Sequence, residues 1–296
     1  MFSRFAAAFK GRVRRTFTPL LSVMRHPQTE EQDMLQLRLD PSRAAMPHAF
    51  FPLHRAEIGS ELQQGERRFD QLVEPRSLSI EARRCLVPAA QEQSFVYRLR
   101  SGWCARLRFL KDGRSQVMAI LLPGDFVCVR SMVLEQQPDE IATITACQFD
   151  MVDQAALRRA AMKDPALTLR LWWQSIEDER RLHNWLIAIS RGRAEERLAL
   201  LLLDIRGRLA LAGLVGDDAT SIPWPLTQQE LGEILGLTAV HVNRTLKELR
   251  AKGLVEISSR TARIDPEGLY RIAHPLMDVF ERRRPEFGAP RLAANA

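Results

Sequence analysis

Apolar and polar positions change their period twice along this 296-residue chain. Between about residue 56 and residue 160 the pattern is short and close to alternating. "SFVYRLRSGWCARLRFL" alternates across a Ser101-Gly102 break, and "KDGR" (111–114) supplies an Asp-Gly hairpin signal. "SQVMAILL" then runs into the Pro-Gly turn of "PGDF" (123–126). "IATITACQFDMV", rich in β-branched residues, predicts one or two further strands. Short strands joined by tight turns imply a small barrel or roll.

From 164 to 214 the period lengthens to that of a helix. Pro165 stands near its start, where the first turn accepts proline. Leu169, Trp172, Ile176, His183 and Leu186 recur at three- and four-residue intervals, and Leu171, Leu182, Trp185 and Ile189 form a second stripe beside them. One stripe is needed to cover the roll. The other has no partner within a single chain, and a symmetry-related copy of the helix would bury it. A helix sunk in a larger monomeric core is the alternative. Leu169, Trp172, Ile176, His183 and Leu186 are the expected dimer contacts. Gly192 is expected to end this helix and "AEERLALLLLDIRGRL" to form the next, followed by a loop in "LAGLVGDDAT".

The stretch "LTQQELGEILGLTAVHVNRTLKELRAKGLVEI" (226–257) predicts two short helices around a glycine turn. Thr227 and Glu230 make a capping box, and Gly236 can take the left-handed conformation that ends a helix sharply. Leu231, Ile234 and Leu235 form the buried side of the first helix, and Gly232 leaves room for close approach of the second. Thr238 caps that second helix, whose Val242, Leu246 and Leu249 face the core. At about 100° per residue, Val240, Asn243, Arg244 and Lys247 fall on the opposite side. That is the arrangement of a helix-turn-helix whose second helix enters the major groove. "KGLVEISSRTARI" adds a two-stranded hairpin around Ser258 to Thr261, the wing of a winged helix.

Composition adds little to this picture. The formal charge of +7 suits an anionic partner but is a weak argument on its own. Residues 1–27 hold six Arg or Lys and no acid, with Phe2, Phe5 and Phe9 at near-helical spacing. This basic extension is expected to be poorly ordered; a transit peptide or a surface-seeking amphipathic helix are the other readings. No apolar run approaches the ~20 residues that span a bilayer, so no membrane partner is expected. Cys85, Cys104, Cys128 and Cys147 lie far apart, which fits a reducing cytoplasm better than a disulfide framework. The histidines show no metal-ligand spacing, and no Ser/His/Asp or Cys/His arrangement or phosphate loop points to an enzyme.

On these residues the chain resembles the Crp/Fnr superfamily of bacterial transcription regulators over roughly residues 56 to 275. The matching features are "SGW", "LLPGDF", "ISRGRAEERLALLLLDI" and "LTQQELGEILGLTAVHVNRTLKELRAKGLV". The resemblance implies a homodimer that binds near-palindromic double-stranded DNA and acts on RNA polymerase. It places the base-reading arginine at Arg244, with Asn243 as its small polar neighbour. The position that often carries a cytosine-reading acid is Val240, which can pack on a thymine methyl but accepts no hydrogen bond. Gln228, Gln229, Thr238 and His241 match positions that hold phosphates, and Lys247, one turn deeper, is expected to do the same.

The cyclic-nucleotide members carry a Gly-Glu pair and a downstream arginine. Here the pair falls on Cys128-Val129 and the arginine on Glu140. A carboxylate there would repel a cyclic phosphate, so no cyclic nucleotide is expected to bind. No cysteine precedes Cys85, which removes the clustered ligands of an iron–sulfur sensor. The expected fold is α+β. It comprises an extension (1–55), a cyclic-nucleotide-binding-like roll (56–160), a dimerisation helix (161–192), a winged helix-turn-helix (193–280) and a tail (281–296). The alternative function is a small-molecule-responsive regulator that uses its winged helix for protein contacts. The effector, if any, is not legible.

Overall fold

A computed structural model describes residues 58–277 except Arg76 and Ser259. The basic extension and the tail expected at the two termini lie outside the described residues.

The segment expected to be all strand opens with a helix, α1 (Gly59–Asp70). Leu62, Gly65 and Phe69 form its buried side. A Cβ on Gly65 would lie 2.2 Å from the Ala166 carbonyl oxygen, so this glycine lets α1 lie hard against a later helix. Eight strands follow: β1 (Leu78–Ile80), β2 (Cys85–Val87), β3 (Phe95–Ser101), β4 (Cys104–Phe109), β5 (Ser115–Leu121), β6 (Phe126–Val127), β7 (Glu140–Thr143) and β8 (Cys147–Asp153). They form two four-stranded antiparallel sheets, ordered β1-β8-β3-β6 and β2-β7-β4-β5. Asp112-Gly113 turns the β4–β5 hairpin, with Gly113 at φ +85°.

Leu99, Leu121, Val127, Ile141 and Phe149 fill the space between the sheets. The outer face of the first sheet is covered by α1, α2 (Gln154–Ala161) and the start of α3 (Pro165–Arg191), through Phe69, Val96, Phe126, Leu157 and Leu167. Both faces of β3 are therefore covered along its middle, where the polar Arg98 is buried, while Arg100 and Ser101 at its end are half-buried. Arg98 is 7% exposed. Its guanidinium binds Glu66 and Asp150, each at 2.6 Å, and lies over the Phe69 ring.

The long helix α3 corrects the two-stripe expectation. Its first half buries Arg170, Gln174 and Glu177 among Ala166, Leu167, Leu171 and Trp173, so the inward face is mixed rather than an apolar stripe. Leu171 packs there, whereas Leu182 and Ile189, on the same side of the helix, are exposed. Trp172, His183 and Leu186 are exposed and Leu169 and Ile176 half-buried, so the five expected dimer contacts form an uncovered apolar face. Gly192 ends α3.

The next helix, α4 (Ala194–Leu211), is buried on every side from Leu198 to Leu203, as a helix packed between two bodies must be. It joins Trp103, Ala105, Val117 and Ile120 of the roll to the C-terminal unit in one hydrophobic core. That unit comprises β9 (Ser221–Pro223), α5 (Gln228–Leu235), α6 (Ala239–Ala251), β10 (Val255–Ser258), β11 (Thr261–Ile264) and α7 (Pro266–Ala273). The wing has three strands, ordered β10-β11-β9. Among the described residues no helix is long and apolar enough to cross a membrane.

Candidate nucleic-acid interface

Local sequence fixes the two-helix unit. Thr227 Oγ1 accepts from the Glu230 amide at 3.2 Å, and the Glu230 carboxylate accepts from the Thr227 amide at 2.8 Å. Two of the amides left open at the start of α5 are thereby satisfied. Gly236 stands at φ +65° and ψ 38° and ends the helix. A Cβ on Gly232 would lie 2.6 Å from the Leu237 carbonyl oxygen. Its close neighbour is thus the turn itself rather than the second helix. Thr238 Oγ1 accepts from the His241 amide at 3.2 Å and starts α6. Val242, Thr245, Leu246 and Leu249 face inward.

Val240, the candidate base contact at the tip of α6, is 81% exposed. Arg244 is exposed and meets Glu248 only at 3.8 Å, with both side chains more than half exposed. Such a surface pair is worth little and leaves the guanidinium available. Asn243 Nδ2 donates to Gln228 Oε1 at 3.0 Å, a link between the two helices that spacing alone did not suggest. Gln228, Gln229, Thr238 and Lys247 are exposed and His241 is half-buried; all lie on α5, α6 or the turn between them. All eight candidate residues are thus exposed or half-buried on the two-helix unit, and Asn243 and Gln228 are in direct contact.

Two arginines that sequence reasoning passed over set the orientation of this surface. Arg83 of the roll, at φ +62°, ion-pairs with the capping residue Glu230, its Nη2 3.3 Å from Oε2. Arg197 donates to the carbonyls of Ile189 (2.8 Å), Gly192 (3.0 Å) and Leu235 (3.1 Å). One guanidinium thus closes the C-terminal ends of both α3 and α5, where carbonyls lack helical partners and a cation is favoured.

A cavity of about 480 Å³ lies between the roll, α3 and α4. Cys128, Val129, Arg106, Arg108, Arg130, Gln137 and Asp139 line its roll side. The expectation for Glu140 is corrected here. Glu140 does not line the cavity; burial, and then the neighbouring Glu140 carboxylate, push the Cys85 thiol up. The acid on the roll side of the wall is Asp139, 4% exposed, which binds Arg108 at 2.5 Å and Arg130 at 3.5 Å. Positive groups are therefore present, delivered by β4 and by the turn of 3-10 helix at Val129–Met132 rather than by the segment after Arg130.

Two domain families match the chain. Residues 77–164 match the Cyclic nucleotide-binding domain and residues 196–272 the Crp-like helix-turn-helix domain. The chain is 30% identical over 163 residues to the nitrogen fixation regulation protein FixK of Bradyrhizobium diazoefficiens, a match covering 54% of this chain and 66% of that one. For FixK of Azorhizobium caulinodans the identity is 29%, over 64% of the relative. The chain thus spans slightly less than two thirds of these relatives. The transcriptional activator FnrA of Stutzerimonas stutzeri is 25% identical over 63% of this chain and 75% of its own length. Among solved structures, FixK2 from Bradyrhizobium japonicum superposes with a TM-score of 0.60 at 24% identity, over 67% of this chain and 96% of that one. The last comparison speaks to fold alone.

Proposed function

We propose that the chain is a member of the Crp/Fnr family and a homodimeric, sequence-specific DNA-binding regulator of transcription, a reading supported by its matches to the Crp-like helix-turn-helix and cyclic nucleotide-binding domains and to FixK. The single observation that carries this reading is the exposed edge of α6. Val240, Asn243 and Arg244 stand at the surface on a helix whose other side is locked into the core. In this reading Val240, Asn243 and Arg244 meet base edges, while Gln228, Gln229, Thr238, His241 and Lys247 hold the phosphates. The roll is the sensor, α3 the dimer contact and the winged helix the reading head. The target is a near-palindromic site, the further partner RNA polymerase, and the compartment the cytoplasm.

Binding-site selection on three variants tests the assignment. Arg244→Ala is expected to lose preference at one symmetric base pair per half-site, worth about 1–3 kcal/mol of discrimination, because the bidentate bond to guanine O6 and N7 is gone. Lys247→Ala should weaken all sequences alike and flatten the salt dependence by about one unit of slope. Val240→Glu should shift preference toward cytosine at the base it faces. An Arg244→Ala protein with unchanged preference would show that α6 does not lie in the groove. The protein-contact alternative predicts no salt-dependent gel shift with DNA at all.

The roll is not expected to take a cyclic nucleotide. Asp139 already engages Arg108 and Arg130, and Val129 offers a ribose hydroxyl no hydrogen bond. Calorimetry should therefore register no micromolar binding of cyclic AMP or cyclic GMP; such binding would sink this reading of the pocket.

A further inference from the structure

Cys104, the first residue of β4, and Cys147, the first of β8, meet inside the roll with their Sγ atoms 3.6 Å apart. They are 0% and 2% exposed. A single buried cysteine is most often a small apolar residue. Here two sulfurs face each other, and the surroundings of Cys147 are polar. Its Sγ lies 3.3 Å from the Trp103 carbonyl oxygen and 3.2 Å from that of Thr145. The turn over it is packed without slack, since a Cβ on Gly102 would lie 2.6 Å from the same sulfur. The cover is nevertheless thin, because Ala146, the residue before Cys147, is exposed.

We propose that Cys104 and Cys147 form a redox-active dithiol that hydroperoxides oxidise to a disulfide, and that this change is passed to the winged helix through Trp103. The proposal rests on the reading of the winged helix as the DNA-binding unit. In the first step the Cys147 thiolate attacks the outer oxygen of the hydroperoxide. An S–O bond forms, the O–O bond breaks, and the departing alkoxide or hydroxide takes up the proton that the thiol gave up. The Cys104 sulfur then attacks the sulfenic sulfur. The S–O bond breaks, and water leaves with the Cys104 proton. Two thiols supply the two electrons that reduce the peroxide. The hydrogen bond from Cys104 holds the Cys147 thiol below its ordinary value and pushes Cys104 up, which makes Cys147 the attacking sulfur and Cys104 the resolving one.

Closing 3.6 Å to the ~2.05 Å of a disulfide draws β4 and the turn before β8 together. Trp103 sits at that junction. Its amide donates to Thr145 Oγ1 at 2.9 Å, and its carbonyl accepts from the Ile144 amide at 2.7 Å. Its indole meets that of Trp224 edge to face, with centroids 6.4 Å apart. Trp224 is 1% exposed and is bound through its amide to the Arg260 carbonyl of the wing at 2.7 Å. A displacement at the thiols therefore reaches the wing through two contacts.

The test treats the full-length reduced protein with hydrogen peroxide, then alkylates and digests it for mass spectrometry. The expected result is the loss of two alkylatable thiols per chain and a Cys104–Cys147 cross-linked peptide. DNA affinity should fall about tenfold, with a change in tryptophan emission, and dithiothreitol should restore both. Cys104→Ala should yield no cross-link and leave a dimedone adduct on Cys147; Cys104→Ser serves if the alanine variant does not fold. Two alkylatable thiols retained at Cys104 and Cys147 would overturn the proposal, as would oxidation confined to the exposed Cys85. A disulfide that changes neither affinity nor emission would overturn the transmission. Reduced protein that binds no DNA would instead count against the winged-helix reading, and the thiol count would still decide the site.

Discussion

An Asp125→Ala protein is expected to lose roughly 3 kcal/mol of stability, near the low end of what breaking a buried ion pair costs. Asp125 closes the Pro-Gly turn after β5, where its Oδ2 accepts from the Leu122 amide at 2.8 Å. The same carboxylate binds Arg208 of α4 and Arg181 of α3, the latter at 3.4 Å. One acid thus joins the roll, the long helix and the helix that leads to the reading head. Truncation leaves two largely buried guanidinium groups facing each other. The loss stays near the low end because Arg181 keeps Asp178 at 2.6 Å and Arg208 keeps the Ile120 carbonyl at 2.8 Å. Burial opposes ionisation of Asp125, but Arg208 and Arg181 outweigh it and hold the carboxyl below its ordinary value. The unfolded chain therefore takes up this proton first. The contribution is whole above about pH 5 and drains away as pH falls through 4 and below. Urea midpoints of parent and variant should differ most near neutrality, and the gap should narrow as pH falls below about 4. A gap that does not narrow with falling pH would mean that the charge of Asp125 is not what stabilises.

Placing glutamates at Ile176 and Leu186 is expected to convert the protein to monomers and lower affinity for an operator-length duplex by a factor of about 100 or more, since two linked half-site contacts become one. The outer face of α3 supplies the reason. Trp172 and Leu186 are 62% and 63% exposed, and Ile187, 47% exposed, adjoins them. A row of exposed apolar side chains of this kind marks a surface that a partner removes from water. Sedimentation with and without DNA decides the matter. An unmodified protein that stays monomeric in both conditions would refute the assembly.

Both helices of the winged unit were legible in the sequence because their signals are local: a capping box, a left-handed glycine and a cap threonine within a dozen residues. The hairpins of the roll were legible for the same reason. What stayed hidden depends on distant partners. The inner face of α3 was missed because periodicity counts apolar residues, whereas that face buries Arg170, Gln174 and Glu177. Helix α1 was missed because two glycines lower its propensity, and one of them is there for packing against Ala166. Asp139 in place of Glu140 is a one-residue difference at the start of a strand, enough to move a carboxylate from one face to the other. Arg83 and Arg197 carry no sequence signal, since their partners lie on other elements.

The bonds of Arg197, itself in α4, tie the ends of α3 and α5 together at an elbow. Were the connection between α3 and α4 a loose hinge, each reading head would find its groove independently. With the elbow fixed, the separation of the two heads in a dimer becomes a mechanical variable governed by how the paired long helices cross. Helix α4 has 18 residues and measures ~27 Å, and α6 packs along it. A tilt of roughly 7° at the elbow moves the far end of such an arm by about 3.4 Å, the height of one base-pair step. In the proposed dimer, half-site spacing would then be a question of gearing: a slight change in crossing angle would shift the heads from one base-pair register to the next.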